Sequence, residues 1–207
     1  MTPIRPSKIV CVGKNYAKHA AEMGGEVPSE PLIFFKPPSS LIDAGEPIVM
    51  PKGAGRVDYE GEVGVIIGKR ARNISAADAW DYVEALVAVN DVTARDLQAT
   101  DNQWARAKGF DTFCPVGTPV PLGEVDLDSL TVKTTVNGEV RQEAPASDMM
   151  YDIPTILEYV AGIMTLEPGD LVPTGTPDGI GPLQPGDEVT VEVSGVGSVT
   201  NPVVAGD

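Results

Sequence analysis

Cysteine, positive charge and long apolar runs are all scarce in this chain, and each shortage removes a class of function. Cys11 and Cys114 are the only cysteines among 207 residues. They share no C-x-x-C spacing, which argues against a disulfide framework or a thiolate metal centre and leaves two buried free thiols as the expectation. Lys and Arg number 15 against 30 Asp and Glu, a formal net charge of −15. Such a surface repels nucleic acid and anionic membranes, and an anionic substrate would need a local cation to counter the field. No apolar run approaches the length of a membrane span, and the opening residues 1–6 lack the apolar core of a signal peptide, so no membrane partner and a cytoplasmic location are expected.

What is abundant points to a β-rich protein. Twenty-two Gly and 19 Pro mean many turns and short strands rather than long helices. The length suits one domain, residues 1–207, with 1–55 as an N-terminal segment packed on it.

The chain is organised around Asp58-Tyr59-Glu60-Gly61-Glu62-Val63-Gly64-Val65-Ile66-Ile67. The β-branched run reads as a buried strand, which places Glu60 and Glu62, two residues apart, on one face at its mouth. Two like charges side by side are costly unless something positive sits between them, and a divalent cation is an economical candidate. Taken alone, the pair fits a solvated strand end better than a site, because glutamate is seldom buried.

Other segments supply partners. Residues 8–12 read as a buried strand leading into a brief helical turn that carries His19, the only histidine, and Glu22 on the same face. A lone histidine is usually incidental, yet a carboxylate that orients an imidazole is the arrangement a general base requires. Residues 24–31, polar and punctuated by Gly and Pro, suit a mobile loop or lid, and 31–38 read as a structural strand closed by Pro-Pro. Residues 75–83 read as a helix with Ser75 as its N-cap. A second buried strand, 84–91, ends in Asp91. Residues 92–98 continue as a loop or helical turn, and 103–110 read as a solvated surface helix. Asn137-Gly138 marks a hairpin, and apolar spacing over 153–164 predicts an amphipathic helix. Leu-x-Pro-Gly-Asp occurs at 166–170 and 183–187, each copy a turn that launches a strand. Between them, 173–181 form a Gly/Thr-rich loop that is either a tight connection or a cradle for a carboxylate or enolate.

Five segments stand in a recognisable order: Gly13-Lys14-Asn15-Tyr16-Ala17-Lys18-His19, Asp58-Tyr59-Glu60-Gly61-Glu62, Asn90-Asp91-Val92-Thr93-Ala94-Arg95-Asp96, Lys108-Gly109-Phe110-Asp111 and Thr174-Gly175-Thr176-Pro177-Asp178-Gly179-Ile180-Gly181-Pro182. With them the chain resembles the fumarylacetoacetate hydrolase superfamily over nearly its whole length, in particular its short members, which include acylpyruvases and oxaloacetate decarboxylases. The resemblance implies an α+β, mainly β fold, a mixed β-sandwich roll with short peripheral helices, assembled as a homodimer. It implies Mg²⁺ or Mn²⁺, with Ca²⁺ a further candidate, held by Glu60, Glu62 and Asp91. It also implies a catalytic pair of His19 and Glu22 on a segment that orders over the site with substrate. The resemblance further implies a catalytic role for Lys108, substrate contacts from Gln98, Lys108, Gly175 and Thr176, and support of the metal-site loop by Arg95.

An all-oxygen donor set favours Mg²⁺, Mn²⁺ or Ca²⁺ over Zn²⁺. The expected substrate is a small 2-oxo or 2,4-dioxo acid, and the expected reaction is C–C hydrolysis of an acylpyruvate. In it His19 deprotonates a water that attacks the distal carbonyl, and pyruvate leaves as its enolate. Decarboxylation of oxaloacetate and isomerisation of a 2-hydroxyhepta-2,4-diene-1,7-dioate-type substrate pass through related enolates, and the motifs do not separate the three. A non-catalytic, metal-stabilised binding protein on the same fold is the alternative of a different class. Retention of His19, Glu22 and Lys108 together argues against it.

Overall fold

Alternation along residues 60–62 sets how the two large sheets meet. In the computed structural model, which describes residues 5–22, 24 and 28–206, the Gly61–Ile67 strand is buried along its whole length. It lies inside a six-stranded sheet ordered Val120–Pro121, Val83–Asn90, Gly61–Ile67, Leu171–Pro173, Ile9–Gly13, Leu32–Lys36. Its antiparallel register with Val83–Asn90 sets Gly61 opposite Asn90 and Glu62 opposite Val89. A five-stranded sheet, ordered Glu139–Pro145, Thr131–Val136, Glu188–Val193, Gly197–Ala205, Ile48–Met50, forms the second layer. Val63, Val65, Val132, Val191 and Val193 belong to the largest buried apolar cluster, every second residue of each strand lying on one face.

Gly61 faces that second layer. A Cβ there would lie 2.1 Å from Thr134 Oγ1 and 3.2 and 3.3 Å from the Val191 and Val132 side chains. Glu60 and Glu62, on the other face, are thereby turned away from the core and into a cleft. Gly61→Ala is expected to cost about 1–3 kcal/mol through overpacking, read as a lower urea midpoint at fixed protein concentration. An unchanged midpoint would show that the sheets separate freely here.

A three-stranded sheet completes the frame. Val57–Tyr59 lies between Gly181–Pro182 and Thr93–Ala94, with Tyr59 opposite Gly181 and Asp58 opposite Thr93. Three of the singled-out segments meet on these few residues.

Several local expectations are met for the physical reasons given. Asn137 and Gly138 both take positive φ, 53° and 80°, the pair of left-handed residues that a tight hairpin needs. The Ile153–Ile163 helix buries Ile153, Ile156, Leu157, Val160 and Ala161 and is capped by the Asp152 carboxylate, which accepts from Thr155 N–H at 2.9 Å. Both Leu-x-Pro-Gly-Asp copies form the same turn, in which the aspartate carboxylate accepts the N–H three residues back: Glu167 to Asp170 at 2.8 Å and Gln184 to Asp187 at 2.7 Å. Asp170 does more. Fully buried, it also accepts from Ser7 N–H and hydroxyl and from Lys8 N–H, and pairs with the Lys8 ammonium, clipping the start of the first strand to a late one.

Other expectations are corrected. Residues Ala76–Tyr82 form a 3-10 helix. Ser75 stands at its N-cap position but donates its hydroxyl to Asp78 at 2.7 Å instead of capping a backbone N–H; Glu158 accepts the Ala76 N–H at 3.1 Å. The surface helix expected at 103–110 shrinks to Ala105–Lys108, with Ala107 and Lys108 buried, because two carboxylates draw Lys108 inward. The proposed lid, residues 24–31, includes Gly25, Glu26 and Val27, which lie outside the described residues. No helix among the described residues is long and apolar enough to cross a membrane. Cys11 and Cys114 are free and buried; burial raises both thiols, Cys114 to about 12, which leaves them inert as nucleophiles.

Candidate active site

Backbone pairing brings the three acidic candidates together. Asp91 N–H donates to the Glu60 carbonyl at 2.8 Å, and Glu60 N–H donates to the Asn90 side chain at 2.9 Å. The end of the Val83–Asn90 strand is thus tied to the mouth of the Gly61–Ile67 strand. Oxygens of Glu60, Glu62 and Asp91 lie within 4.8 Å of one another, all three residues buried. Asp91 therefore places a third buried carboxylate beside the Glu60–Glu62 pair, and the solvated strand end is excluded.

Cations surround this triad unevenly. Lys108 Nζ donates to Glu60 Oε2 and Asp91 Oδ2, both at 2.6 Å. Arg95 Nη2 pairs with Glu60 Oε1, its Nε with Asp58 Oδ2 at 2.9 Å, and its Nη1 with Gln98 Oε1 at 2.7 Å. Lys36 Nζ takes Asp91 Oδ1 at 2.6 Å and the Val92 carbonyl at 3.1 Å. Glu62 is left without a cation: among the described residues its one hydrogen bond is from Gly175 N–H to Oε2 at 2.8 Å.

The titration directions follow from that imbalance. Burial would raise Glu60, but the Arg95 and Lys108 charges outweigh it and hold the carboxyl well below the usual range. Burial would strip the Lys108 proton, but Asp91 and Glu60 keep the ammonium charged. For Glu62, burial and the neighbouring Asp91 and Glu60 charges push the same way, and its carboxyl is raised. A hard divalent cation fits this donor set: three buried carboxylates, no sulfur or imidazole among them, and one carboxylate that no cation among the described residues pairs with.

Glu60 and Glu62 line a cleft of about 670 Å³ together with His19, Glu22, Arg95, Gln98, Lys108 and Thr176. His19, 4% exposed, stands with Nδ1 3.5 Å from Glu22 Oε2, a long contact, and Glu22 is held in turn by Gly179 N–H at 3.3 Å. Burial lowers His19 below its ordinary value against the opposing pull of Glu60 and Glu22, which favours a neutral imidazole able to accept a proton. Thr176 Oγ1 accepts from Gln142 Nε2 at 2.8 Å, which leaves its own hydrogen free to donate. Gly175, at φ 101° with its would-be Cβ 2.7 Å from Asn15 Cβ, is a position only glycine fills; its N–H goes to Glu62, so it shapes the triad rather than facing the cleft.

Lys36 and Gln142 escaped the reading of the sequence. Lys36 closes an apolar strand before Pro-Pro, where a terminal lysine signals only a solvated end. Gln142, buried, accepts the Gly61 N–H at 3.0 Å while donating to Thr176 and to the Pro177 carbonyl, bracketing the E-x-E strand against the Thr-Gly loop. Asp58, paired with Arg56 and Arg95, appeared only as the first letter of a motif. An aromatic wall is added by Phe34 and Trp104, edge to face at 5.3 Å, with Lys108 Nζ 4.9 Å from the Phe34 ring centre.

Comparison with known proteins agrees with the geometry. The family described as fumarylacetoacetate (FAA) hydrolase C-terminal matches residues 8–204. The mitochondrial oxaloacetate decarboxylase of Dictyostelium discoideum is 41% identical over 195 residues, covering 91% of this chain and 89% of that protein. The mitochondrial oxaloacetate tautomerase FAHD1 of Arabidopsis thaliana is 41% identical over 198 residues, covering 93% and 89%. The crystal structure of 2-hydroxyhepta-2,4-diene-1,7-dioate isomerase from Mycobacterium marinum superposes with a TM-score of 0.90 at 45% identity, covering 98% of this chain and 76% of that one.

Proposed function

The chain belongs to the fumarylacetoacetate (FAA) hydrolase family, and we propose that within it the protein is a divalent-metal-dependent enzyme of small 2-oxo acids whose first substrate is oxaloacetate. The reading rests on one observation: an oxygen-only triad of Glu60, Glu62 and Asp91 is bonded to a fixed, buried ammonium, Lys108, beside the cleft that Glu60, Glu62 and Lys108 line. Negative substrate charge, in the ground state and as it grows on an enolate oxygen, is stabilised there by preorganised positive charge in a site sheltered from water. The names of the Dictyostelium and Arabidopsis relatives support oxaloacetate as the first choice.

Bound at Glu60, Glu62 and Asp91, Mg²⁺ or Mn²⁺ would supply Lewis-acid polarisation of the substrate's carboxylate and 2-oxo oxygens. The chain's own groups do the rest. Lys108 donates toward the oxygen on which charge develops, while Gln98, held by Arg95, and the Thr176 hydroxyl orient the substrate. In decarboxylation the C3–C4 bond breaks, its electron pair moves into C2–C3 and the 2-oxo electrons onto oxygen, CO₂ leaves, and a proton returned to C3 completes pyruvate. In keto–enol exchange neutral His19 takes the proton from C3 while the 2-oxo oxygen gains one.

Acylpyruvate hydrolysis is the second reading, favoured by the His19–Glu22 pair, because loss of CO₂ requires no activated water. His19 would take a proton from water as it attacks the distal carbonyl; the C–C bond then breaks to give a carboxylic acid and pyruvate enolate. Both readings are tested together by assaying oxaloacetate, acetylpyruvate and 2-hydroxyhepta-2,4-diene-1,7-dioate with metal-stripped protein and after Mn²⁺ is restored. The expected result is the highest kcat/KM on oxaloacetate, abolished by EDTA and recovered with Mn²⁺. Absence of metal-dependent turnover on all three would overturn the enzyme reading.

A further inference from the structure

Each carboxylate of the triad has one oxygen already spoken for, by a different protein donor. Asp91 Oδ1 is held by Lys36 and Glu60 Oε1 by Arg95, and Glu62 Oε2 accepts the Gly175 amide. The oxygens that remain are Asp91 Oδ2, Glu60 Oε2 and Glu62 Oε1. Lys108 shares the first two at 2.6 Å, and an ionised carboxylate oxygen has a second lone pair for another partner.

Of the three clamps, Lys36 is the least explained by folding or by substrate. It is 1% exposed, holds the Asp91 oxygen that Lys108 does not and does not line the cleft. Its ammonium has two partners, Asp91 Oδ1 and the Val92 carbonyl, the main-chain group that follows Asp91. Burying a lysine is expensive, and an apolar side chain of similar length would satisfy the strand. What the ammonium adds is a fixed rotamer for Asp91 and the removal of one of its two oxygens.

We propose that Lys36, with Arg95 and the Gly175 amide, confines the triad to one inward oxygen per carboxylate and thereby selects a small six-coordinate cation over Ca²⁺. The inference rests on the reading of the triad as a divalent-cation site. Mg²⁺ requires near-octahedral coordination and keeps several waters, so three single oxygens suffice; Ca²⁺ takes six to eight oxygens and gains from carboxylates that bind through both. Lys36 acts through Asp91 and is a positioning residue, since it touches neither cleft nor substrate.

The sign of the effect separates this role from a structural one. Lys36→Met frees Asp91 Oδ1 to bind and removes a nearby positive charge, which helps Ca²⁺ more than Mg²⁺. A loosened fold weakens every cation alike. Calorimetric titration of metal-stripped wild type and Lys36→Met with Mg²⁺, Mn²⁺ and Ca²⁺ is the test. The expected result is a wild type that binds Mg²⁺ and Mn²⁺ in preference to Ca²⁺, and a variant in which the Kd ratio of Ca²⁺ to Mg²⁺ falls by about tenfold or more. If Lys36→Met does not fold, Arg95→Met, which frees Glu60 Oε1, carries the same prediction. A ratio unchanged by the substitution, or a wild type without preference, overturns the inference alone. A wild type that binds none of the three cations overturns the reading of the site beneath it.

Discussion

Glu62→Gln lowers Mn²⁺ affinity on the order of 100-fold and abolishes metal-dependent turnover, yet leaves the metal-free protein as stable as the wild type or more so. The two effects share one origin. Glu62 is buried beside Asp91 and Glu60 with no paired cation among the described residues, and burial and those two charges raise its carboxyl. The amide keeps the shape and its carbonyl still accepts the Gly175 N–H, while the uncompensated charge is gone. Mn²⁺ titration followed by electron paramagnetic resonance and thermal melts of metal-free protein read the two halves separately. A variant that retains wild-type Mn²⁺ affinity removes Glu62 from the ligand set, and one that melts well below wild type would show that the Glu62 charge supports the fold through a partner in the chain.

His19→Ala divides the candidate reactions. Where a proton must be taken from carbon or water, loss of the base costs about 10²–10⁴-fold in kcat, so keto–enol exchange and acylpyruvate hydrolysis fall together while Mn²⁺ affinity stays unchanged. Loss of CO₂ needs no such base, and decarboxylation is expected to persist. In the wild type the acid limb of the rate lies below the ordinary histidine value of 6.5, because burial lowers His19 and activity disappears only as pH drops through that lowered value. Full hydrolytic activity in His19→Ala would take the imidazole out of the mechanism. An equal loss of decarboxylation would assign His19 to substrate binding instead.

How much of this was legible without coordinates depended on how local each signal is. Glu60, Glu62 and Asp91 stand at the ends of β-branched runs, so their placement follows from short-range periodicity, and the Asn137-Gly138 turn and the Asp152-capped helix are likewise short-range. Which strands pair is not local, and the resemblance to a known family supplied it. Lys36 and Gln142 had neither aid. Their partners lie 55 and 81 residues away, and nothing in the alternation of their own strands marks one polar residue as inward and indispensable. Ser75 failed in the opposite sense: a sound local cap signal was overridden when Asp78 claimed its hydroxyl and Glu158 supplied the backbone partner. Residues 103–110 were misjudged because the charge of Lys108 is compensated by groups from two other segments.

The clip at Asp170 carries a consequence for how the protein is made. The Ile9–Gly13 strand, which leads into the segment bearing His19, lies beside Leu32–Lys36 on one side and parallel to Leu171–Pro173 on the other. The same late strand also flanks Gly61–Ile67. During translation, which runs from the N-terminus, the nascent chain therefore has to hold two strands with open flanks until Leu171 emerges. Pairings so far apart in the chain form slowly, and a nascent chain in that state exposes unpaired, apolar edges that invite aggregation or chaperone capture. The strand that leads to the imidazole and the strand that carries Glu62 are joined in one sheet only once Leu171–Pro173 has been made and has paired with both.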